Sequence, residues 1–209
     1  MNSENPSRLY LTLPQSFDPE TFQPILRAAL EATPVACVRL DLGAADEADW
    51  IRAANYVIEP CHDLDVALVV TDHFKLVEAL GLDGVHLSAA TRTPMRDVRK
   101  ALGDDVIVGG DAGASKHNGM VLAEAGADYV CFGPVGDTGA LGDDTHAGDD
   151  IFEWWGEMIE TPSVAEGGVT PEDAQRLTAH VDFVVPDRRI WNEPGTIAEV
   201  LQRYATVLA

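Results

Sequence analysis

Lysine is scarce in this sequence, and positive charge is scarce with it. Lysine occurs only as Lys75, Lys100 and Lys116, and the formal net charge at pH 7 is -21. A surface this acidic repels the phosphate backbones of nucleic acids. The composition therefore argues against a nucleic-acid partner and predicts a well-solvated acidic surface.

Long apolar runs are also missing. No stretch has the ~20 uninterrupted apolar residues that a membrane-spanning helix requires, so no membrane partner is expected. The opening residues, MNSENPSRLY, do not show the basic and then apolar layout of a signal peptide. We therefore expect a cytoplasmic protein whose partner is a small-molecule ligand.

Cysteine is the third scarcity. Cys37, Cys61 and Cys131 are the only cysteines, and their spacing matches no metal-binding motif. Two of them lie in apolar runs that predict strands. We expect buried, reduced thiols that act as small apolar side chains.

The sequence does contain a regular alternation of β-branched runs and amphipathic helical segments. Strands are predicted at residues 9–13, 35–40, 66–70, 84–87, 106–108, 128–132, 163–165 and 183–185. Eight strands alternating with eight helices favour a single-domain (β/α)8 TIM barrel over residues 1–209. The alternative is an open doubly wound sheet, but residues 13–16 after the first strand lack its glycine fingerprint.

Residues 106–135 contain the clearest of these repeating units. The strand at 106–108 is expected to stop at Gly109 and Gly110, and Ser115 is expected to cap a helix. Met120 and Val121 supply apolar positions at helical spacing, and the next strand follows at 128–132. Parallel strands need crossovers of this kind, so the unit itself predicts a parallel sheet.

Four motifs then occur in order along the chain: DGVHL at 83–87, GADYV at 126–130, FGPV at 132–135 and VAEGGV at 164–169. Together they resemble the thiamine phosphate synthase family, which includes a thiazole tautomerase and regulatory relatives. The resemblance implies a TIM barrel that is usually a homodimer. It also implies coupling of an aminopyrimidine methyl diphosphate to a thiazole phosphate, with Mg²⁺ holding the departing pyrophosphate.

Residues that follow the strands of a TIM barrel surround its active site. Here these positions carry Asp41, Asp72, Asp111, Glu166 and Asp187. The resemblance makes Asp72 the metal ligand, with Mg²⁺ as its ion. Glu166 stands where the family has an apolar residue, and a charge at such a position needs a partner.

Two sets of candidate site residues follow. The candidate catalytic residues are Glu166, Asp41 and His86. The candidate substrate- and phosphate-binding residues are Gly110, Asp111, Gly133, Gly167, Gly168, Asp187 and Arg188. Backbone N–H groups at the glycines are suited to phosphate, and Arg188 or Arg189 can offset the charge of Asp187 if one of them folds back.

Several positions differ from the family's pattern. Asp41 replaces an arginine and Gly43 a lysine, residues 88–91 supply no second metal aspartate, and residues 110–114 lack the family's serine and the tautomerase histidine. The loop at 136–150, a candidate lid, has no lysine or arginine to hold a diphosphate. Unneutralised charges ~4 Å apart repel by about 4 kcal/mol at an effective dielectric of 20, so an acidic mouth is expected to disfavour a diphosphate.

Three functions therefore stay open. The first is thiamine phosphate synthase, as the resemblance implies. The second is a catalytically lapsed relative that binds a ligand or regulates. The third is an enzyme of another reaction, whose carboxylate-lined pocket binds a metal or a cation. The carboxylates also have a plain structural interpretation, in which Asp41, Asp111 and Asp187 cap the helices that follow their strands or face solvent.

Overall fold

Eight strands close into one barrel in sequence order in the computed structural model, which describes residues 6–136, 146–193 and 195–208. The strands are β1 (Arg8–Thr12), β2 (Val35–Leu40), β3 (Ala67–Thr71), β4 (Gly84–Leu87), β5 (Ile107–Asp111), β6 (Tyr129–Phe132), β7 (Ser163–Val169) and β8 (Phe183–Pro186). The helices are α1 (Pro19–Ala32), α2 (Glu47–Asp63), α3 (Lys75–Leu80), α4 (Met95–Leu102), α5 (Lys116–Glu124), α6 (Asp149–Met158), α7 (Pro171–Leu177) and α8 (Ile197–Leu208).

Every neighbouring pair of strands is parallel, and β8 closes on β1. This confirms the predicted TIM barrel. One helix follows each strand, and a short 3-10 helix, Arg188–Asn192, lies between β8 and α8. No helix within the described ranges is long and apolar enough to cross a membrane.

The helices begin where the sequence supplies capping side chains. Asp18, Asp46 and Ser115 accept backbone N–H bonds in the first turns of α1, α2 and α5. Thr170 forms a capping box with Asp173 at the start of α7. These caps fix the residue at which each of these helices begins. They therefore limit the length and position of the loops at the mouth of the barrel.

Apolar side chains form two layers. The larger core lies between the sheet and the helices, and a smaller one fills the inside of the barrel. The inner cluster consists of Tyr10, Cys37, Val69, Tyr129, Cys131, Val164 and Val185. All three cysteines are free and buried, as predicted.

The structure corrects the expected end of β5. The strand does not stop at Gly109 and Gly110 but continues to Asp111. A Cβ at Gly109 would overlap the Tyr129 ring, so this glycine makes room inside the barrel instead of breaking the strand. The expected apolar face of α5 is also corrected, because Val121 is half exposed and Gly119 packs against Trp155.

Aspartates join neighbouring strands at the face opposite the mouth. One aspartate precedes each of β4, β6 and β8, and its carboxylate accepts a backbone N–H from the preceding strand. The bonds are Leu68 N–H to Asp83 at 2.7 Å, Val108 N–H to Asp128 at 2.7 Å and Ser163 N–H to Asp182 at 2.8 Å. This face therefore serves stability, which leaves the other face for function.

Candidate functional site

Two cavities of about 330 Å³ each open at the carboxyl ends of the strands and share Glu166 and Gly167. The first is lined by Thr12, Glu166, Gly167, Gly168, Val185, Pro186, Asp187, Arg188 and Arg189. The second is lined by Asp111, Gly113, Cys131, Phe132, Gly133, Pro134, Glu166 and Gly167. The predicted residues Asp111, Gly133, Glu166, Gly167, Gly168, Asp187 and Arg188 thus lie together at the mouth.

Glu166 has the partner that its position requires. Its Oε1 accepts a hydrogen bond from Nη2 of Arg39, which points inward from β2. Burial opposes the charge on Arg39, but the Glu166 carboxylate outweighs it and holds the pKa of the guanidinium above its usual range. Arg39 also lies 5.7 Å from the centre of the Tyr10 ring, a favourable cation–π distance.

Arg39 is the functional residue that the sequence analysis missed. Its Nε and Nη1 are buried and have no hydrogen-bond partner among the described residues, and the same holds for Oγ1 of Thr12. The available signal was the charge at Glu166, since a partly buried carboxylate calls for a cation on another strand of the barrel interior. Sequence spacing does not show which strand supplies it.

Asp41 pairs with Arg188 across the mouth. Nη2 of Arg188 donates to Oδ2 of Asp41, and the Gly43 N–H donates to Oδ1 at 3.1 Å. Burial acts to raise the pKa of Asp41, but the hydrogen bond and charge of Arg188 outweigh burial and lower it. Asp41, directly after β2, is thus faced by an arginine from the segment after β8.

Asp187 and Asp111 each close a turn after their strands. Asp187 accepts the Arg189 N–H at 2.7 Å and Nε of Arg189 at 2.8 Å. Asp111 accepts the Gly113 N–H at 2.8 Å. Burial raises the pKa of Asp111, and the nearby Glu166 charge adds to that rise. Asp187 thus caps the 3-10 helix that follows β8, as one interpretation expected, whereas α5 is capped by Ser115 and not by Asp111.

Asp72 lies at the end of β3 and is held by the loop after β4. Its Oδ1 accepts the Ser88 N–H at 2.9 Å and its Oδ2 the Ser88 hydroxyl at 2.6 Å. Its backbone is left-handed, with φ of 59°, a conformation that a non-glycine residue adopts only when its surroundings enforce it. The carboxylate is therefore held in a fixed position at the rim.

His86 lies inside the barrel, below the mouth, and is 3% exposed. Its Nδ1 is 3.1 Å from the Tyr129 hydroxyl, which is 2.8 Å from the Tyr10 hydroxyl. Burial, with the charges of Arg39 and Arg188, lowers the pKa of His86 well below its usual value. The imidazole is therefore neutral at physiological pH.

The glycines differ in placement. Gly167 and Gly168 have φ of 85° and 68°, which only glycine adopts readily, and both line the first cavity. A Cβ at Gly133 would collide with the Glu166 carbonyl, so β6 and β7 approach closely there. Gly110 is placed elsewhere: it is buried in β5 and faces Met95 and Leu122 on the helical side. It is therefore poorly placed to contact a ligand at the mouth.

The expected uncompensated acidic mouth is corrected by these ion pairs. Three of the five predicted carboxylates, Glu166, Asp41 and Asp187, pair with Arg39, Arg188 and Arg189. Five negative and three positive charges leave -2 among the described residues, where Asp72 and Asp111 are the two of these five carboxylates that form no ion pair with an arginine. Most of the loop at 136–150, the candidate lid that carries no lysine or arginine, lies outside the described residues.

The geometry can be set beside known proteins. The family model described as "Thiamine monophosphate synthase" matches residues 9–186. The thiamine-phosphate synthase of Rhodospirillum centenum is 41% identical over 202 residues, covering 96% of this chain and 97% of that protein. The corresponding protein of Erythrobacter litoralis is 34% identical over 212 residues, covering 99% and 98%.

A solved structure shows the same fold. Thiamine phosphate pyrophosphorylase from Pyrococcus furiosus superimposes with a TM-score of 0.82, covering 96% of this chain and 95% of that chain at 19% identity. The family match runs from β1 to β8, so it includes all the strand ends that form the mouth. The chain is a member of the thiamine monophosphate synthase family.

Proposed function

We propose that this protein is a thiamine phosphate synthase, which joins an aminopyrimidine methyl diphosphate to a thiazole phosphate and releases pyrophosphate. The observation that carries the proposal is the extent of the likeness to named synthases, which spans nearly the whole chain. The paired arginines at the mouth remove the main physical objection, since they offset most of the acidic charge.

The thiazole phosphate is assigned to the cavity between β7 and β8. Gly167 and Gly168 present backbone without side chains there, and Arg188 lies at the rim. Backbone N–H groups and a guanidinium are the donors that phosphate prefers. Thr12 lines the same cavity, and its buried Oγ1 has no hydrogen-bond partner among the described residues.

Arg188 takes the place of the missing lysine clamp. Its side chain is 31% exposed and is held by the Asp41 carboxylate. A phosphate carries more negative charge than one carboxylate, so a bound substrate can share this guanidinium or draw it away from Asp41. Asp41 then acts as a positioning residue, which keeps Arg188 at the mouth before substrate arrives.

Mg²⁺ fits at Asp72. This ion is usually held by one or two carboxylates together with substrate phosphates and water. The Asp72 oxygens each accept one bond from Ser88 and retain further lone pairs for a cation. When bound there, Mg²⁺ offsets negative charge on the departing pyrophosphate.

Glu166 is assigned to the pyrimidine, because it faces both cavities. The carbon–oxygen bond to the diphosphate breaks, positive charge develops on the pyrimidine methyl group, and the thiazole nitrogen forms the new carbon–nitrogen bond. A carboxylate beside that carbon stabilises the charge. Arg39 holds the Glu166 carboxylate in place through its hydrogen bond. The neutral His86 lies deeper in the barrel, where its hydrogen bond with Tyr129 holds both side chains in place.

The resemblance also supports two further proposals. The first is that the chain forms a homodimer, and the second is that it works in the cytoplasm. Light scattering of the purified protein tests the first, with a mass of twice 22.5 kDa expected. A mass equal to one chain at micromolar concentration would contradict it.

The activity is tested by incubating the protein with both phosphorylated substrates and Mg²⁺ and measuring thiamine phosphate and pyrophosphate. Equal amounts of the two products are expected. Glu166→Gln should lower kcat/KM by roughly 10²–10³, the cost of losing one electrostatic group. Arg27→Ala, which breaks the ion pairs with Asp63 and Glu59 between the outer helices α1 and α2, is the control and should leave the rate unchanged.

Failure of the assay would separate the alternatives. No product, together with thermal stabilisation by either substrate, would favour the lapsed ligand-binding relative. No product and no effect of substrate, together with stabilisation by a divalent ion alone, would favour an enzyme of a different reaction.

A further inference from the structure

Three side chains inside the barrel converge on one point below the mouth. His86 on β4, Cys131 on β6 and Glu166 on β7 each place a potential ligand atom within 4.8 Å of the others. We propose that these three residues form a binding site for a divalent metal ion that accepts thiolate ligands, such as Zn²⁺. This site is separate from the oxygen-ligand Mg²⁺ position assigned to Asp72. Because Glu166 is also assigned to the pyrimidine, the ion and that substrate compete for its carboxylate.

The donor set selects the ion. An imidazole nitrogen, a thiolate sulfur and a carboxylate oxygen are all ligands of Zn²⁺, and three protein ligands leave its fourth position open. Zinc bonds at tetrahedral angles place ligand atoms roughly 3.3–3.8 Å apart. The three ligand atoms, which lie within 4.8 Å of one another, therefore have to move about 1 Å closer together. Small side-chain rotations allow this movement. Mg²⁺ does not favour sulfur or nitrogen, so it does not compete for this position.

The surroundings orient the ligands before any ion arrives. The Tyr129 hydroxyl lies 3.1 Å from Nδ1 of His86 and 2.8 Å from the Tyr10 hydroxyl. Metal-bound histidines commonly have such a hydrogen-bonded neighbour, which fixes the ring. His86 and Cys131 are 3% and 1% exposed, so solvent competes little for them.

Charge at the site also balances. Arg39 is the cation beside it and uses one Glu166 oxygen, Oε1, which leaves Oε2 for the ion. Without the ion the Cys131 thiol is neutral, because burial raises its pKa, and Glu166 balances Arg39. Binding of the ion releases the thiol proton, so the thiolate, Glu166, Arg39 and the ion together sum to +1. Asp111, which lines the same cavity, brings the total to zero when ionised. An isolated guanidinium would oppose a metal ion, but this one is already paired.

An entry path exists from the mouth. Cys131, Glu166 and Asp111 line the second cavity, so an ion can reach two ligands directly and lie above the third. The other cysteines do not share this position, because Cys61 is buried on α2 and Cys37 lies at the opposite end of the barrel beside Ala36 and Ala67. Cys131 is therefore the cysteine that we expect to bind the ion.

The test uses Co²⁺ as a spectroscopic substitute for Zn²⁺, added to the chelator-treated full chain without substrate. One Co²⁺ per chain and a thiolate-to-cobalt charge-transfer band in the near ultraviolet are expected, and Zn²⁺ should remove the band by displacement. The band should disappear in Cys131→Ser and persist in the matched control Cys61→Ser. Because no substrate is present, the outcome is independent of the synthase assay.

Two further variants cover the case in which Cys131→Ser does not fold. Tyr129→Phe keeps all three ligands and should weaken Co²⁺ binding by roughly 10- to 100-fold, the usual cost of losing a group that orients a ligand. His86→Gln removes a ligand and should weaken binding more. The proposal is overturned if the wild-type chain gives no charge-transfer band, if the band survives in Cys131→Ser, or if His86→Gln binds Co²⁺ as tightly as the wild type.

Discussion

Arg39 and Glu166 lie 127 positions apart in the sequence and form an ion pair across the inside of the barrel, between β2 and β7. The two partners are unequally buried, with the Arg39 side chain 4% exposed and that of Glu166 25% exposed. Removing one partner of a buried pair leaves the other charge uncompensated, and the cost grows with the burial of the charge that remains. The two single variants should therefore differ in stability.

Glu166→Ile should be the more destabilising variant, because it leaves Arg39 buried and unpaired. A loss of about 3–5 kcal/mol in the free energy of unfolding is expected. Arg39→Gln leaves a carboxylate that still reaches water, so its cost should be smaller. Urea unfolding of both variants measures the difference.

The double variant Arg39→Gln with Glu166→Ile removes both charges and places at position 166 the apolar type that the family's pattern has there. It should be more stable than Glu166→Ile alone, because no charge is left without a partner. Additive losses in the double variant would show that the two residues do not stabilise each other.

Asp41 should give stability that depends on pH. Burial works against its charge, but Arg188 outweighs burial and lowers its pKa in the folded chain. A carboxyl whose pKa is lower in the folded chain contributes stability above its unfolded pKa, and this is lost as the pH falls through the folded value. Asp41→Asn should cost up to about 1 kcal/mol at pH 7 and nothing once the pH is well below about 4. Unfolding in urea across this pH range tests the sign.

Asp111 should behave in the opposite way. Burial raises its pKa, so its ionised form costs stability at pH values above that pKa. Asp111→Asn keeps an oxygen for the Gly113 N–H and removes the charge, so the variant should be at least as stable as the wild type at pH 7. A clear loss of stability at pH 7 would contradict this prediction. It would mean that the contacts of the ionised Asp111 carboxylate stabilise the fold by more than its burial destabilises it.

Asp182 should matter for stability although it lies far from the mouth. Its carboxylate accepts the Ser163 N–H at 2.8 Å, and Ser163 is fully buried. Asp182→Ala should cost about 1–3 kcal/mol, since the buried N–H loses its acceptor. The exposed Asp104→Ala is the matched control, with a change of less than about 0.5 kcal/mol expected in thermal or urea unfolding.

The sequence predicts the barrel well because its signals are local. Alternating apolar periods and capping residues such as Asp18, Asp46 and Ser115 act within a few positions, and the structure has helices beginning at each of them. The predicted end of β5 was wrong because Gly109 makes room for the Tyr129 ring on the neighbouring strand. That contact joins positions that are distant in the sequence.

The site is only partly predictable for the same reason. The strand-end rule places Asp111, Glu166 and Asp187 at the mouth. Their charge balance depends on which arginines face them, and Arg39 and Arg188 come from β2 and from the segment after β8. No spacing in the sequence identifies those pairs, so the acidic mouth looked unneutralised.

The central claim is that arginines at the mouth make this barrel able to hold a phosphorylated substrate in spite of its acidic rim. Isothermal titration calorimetry with the thiazole phosphate and with the same thiazole alcohol lacking phosphate tests it most directly. We expect the phosphate to bind at least about 10-fold more tightly, a difference of about 1.4 kcal/mol, and Arg188→Ala to remove most of that preference. Equal affinities, or tighter binding of the uncharged thiazole by the wild-type chain, would contradict the account.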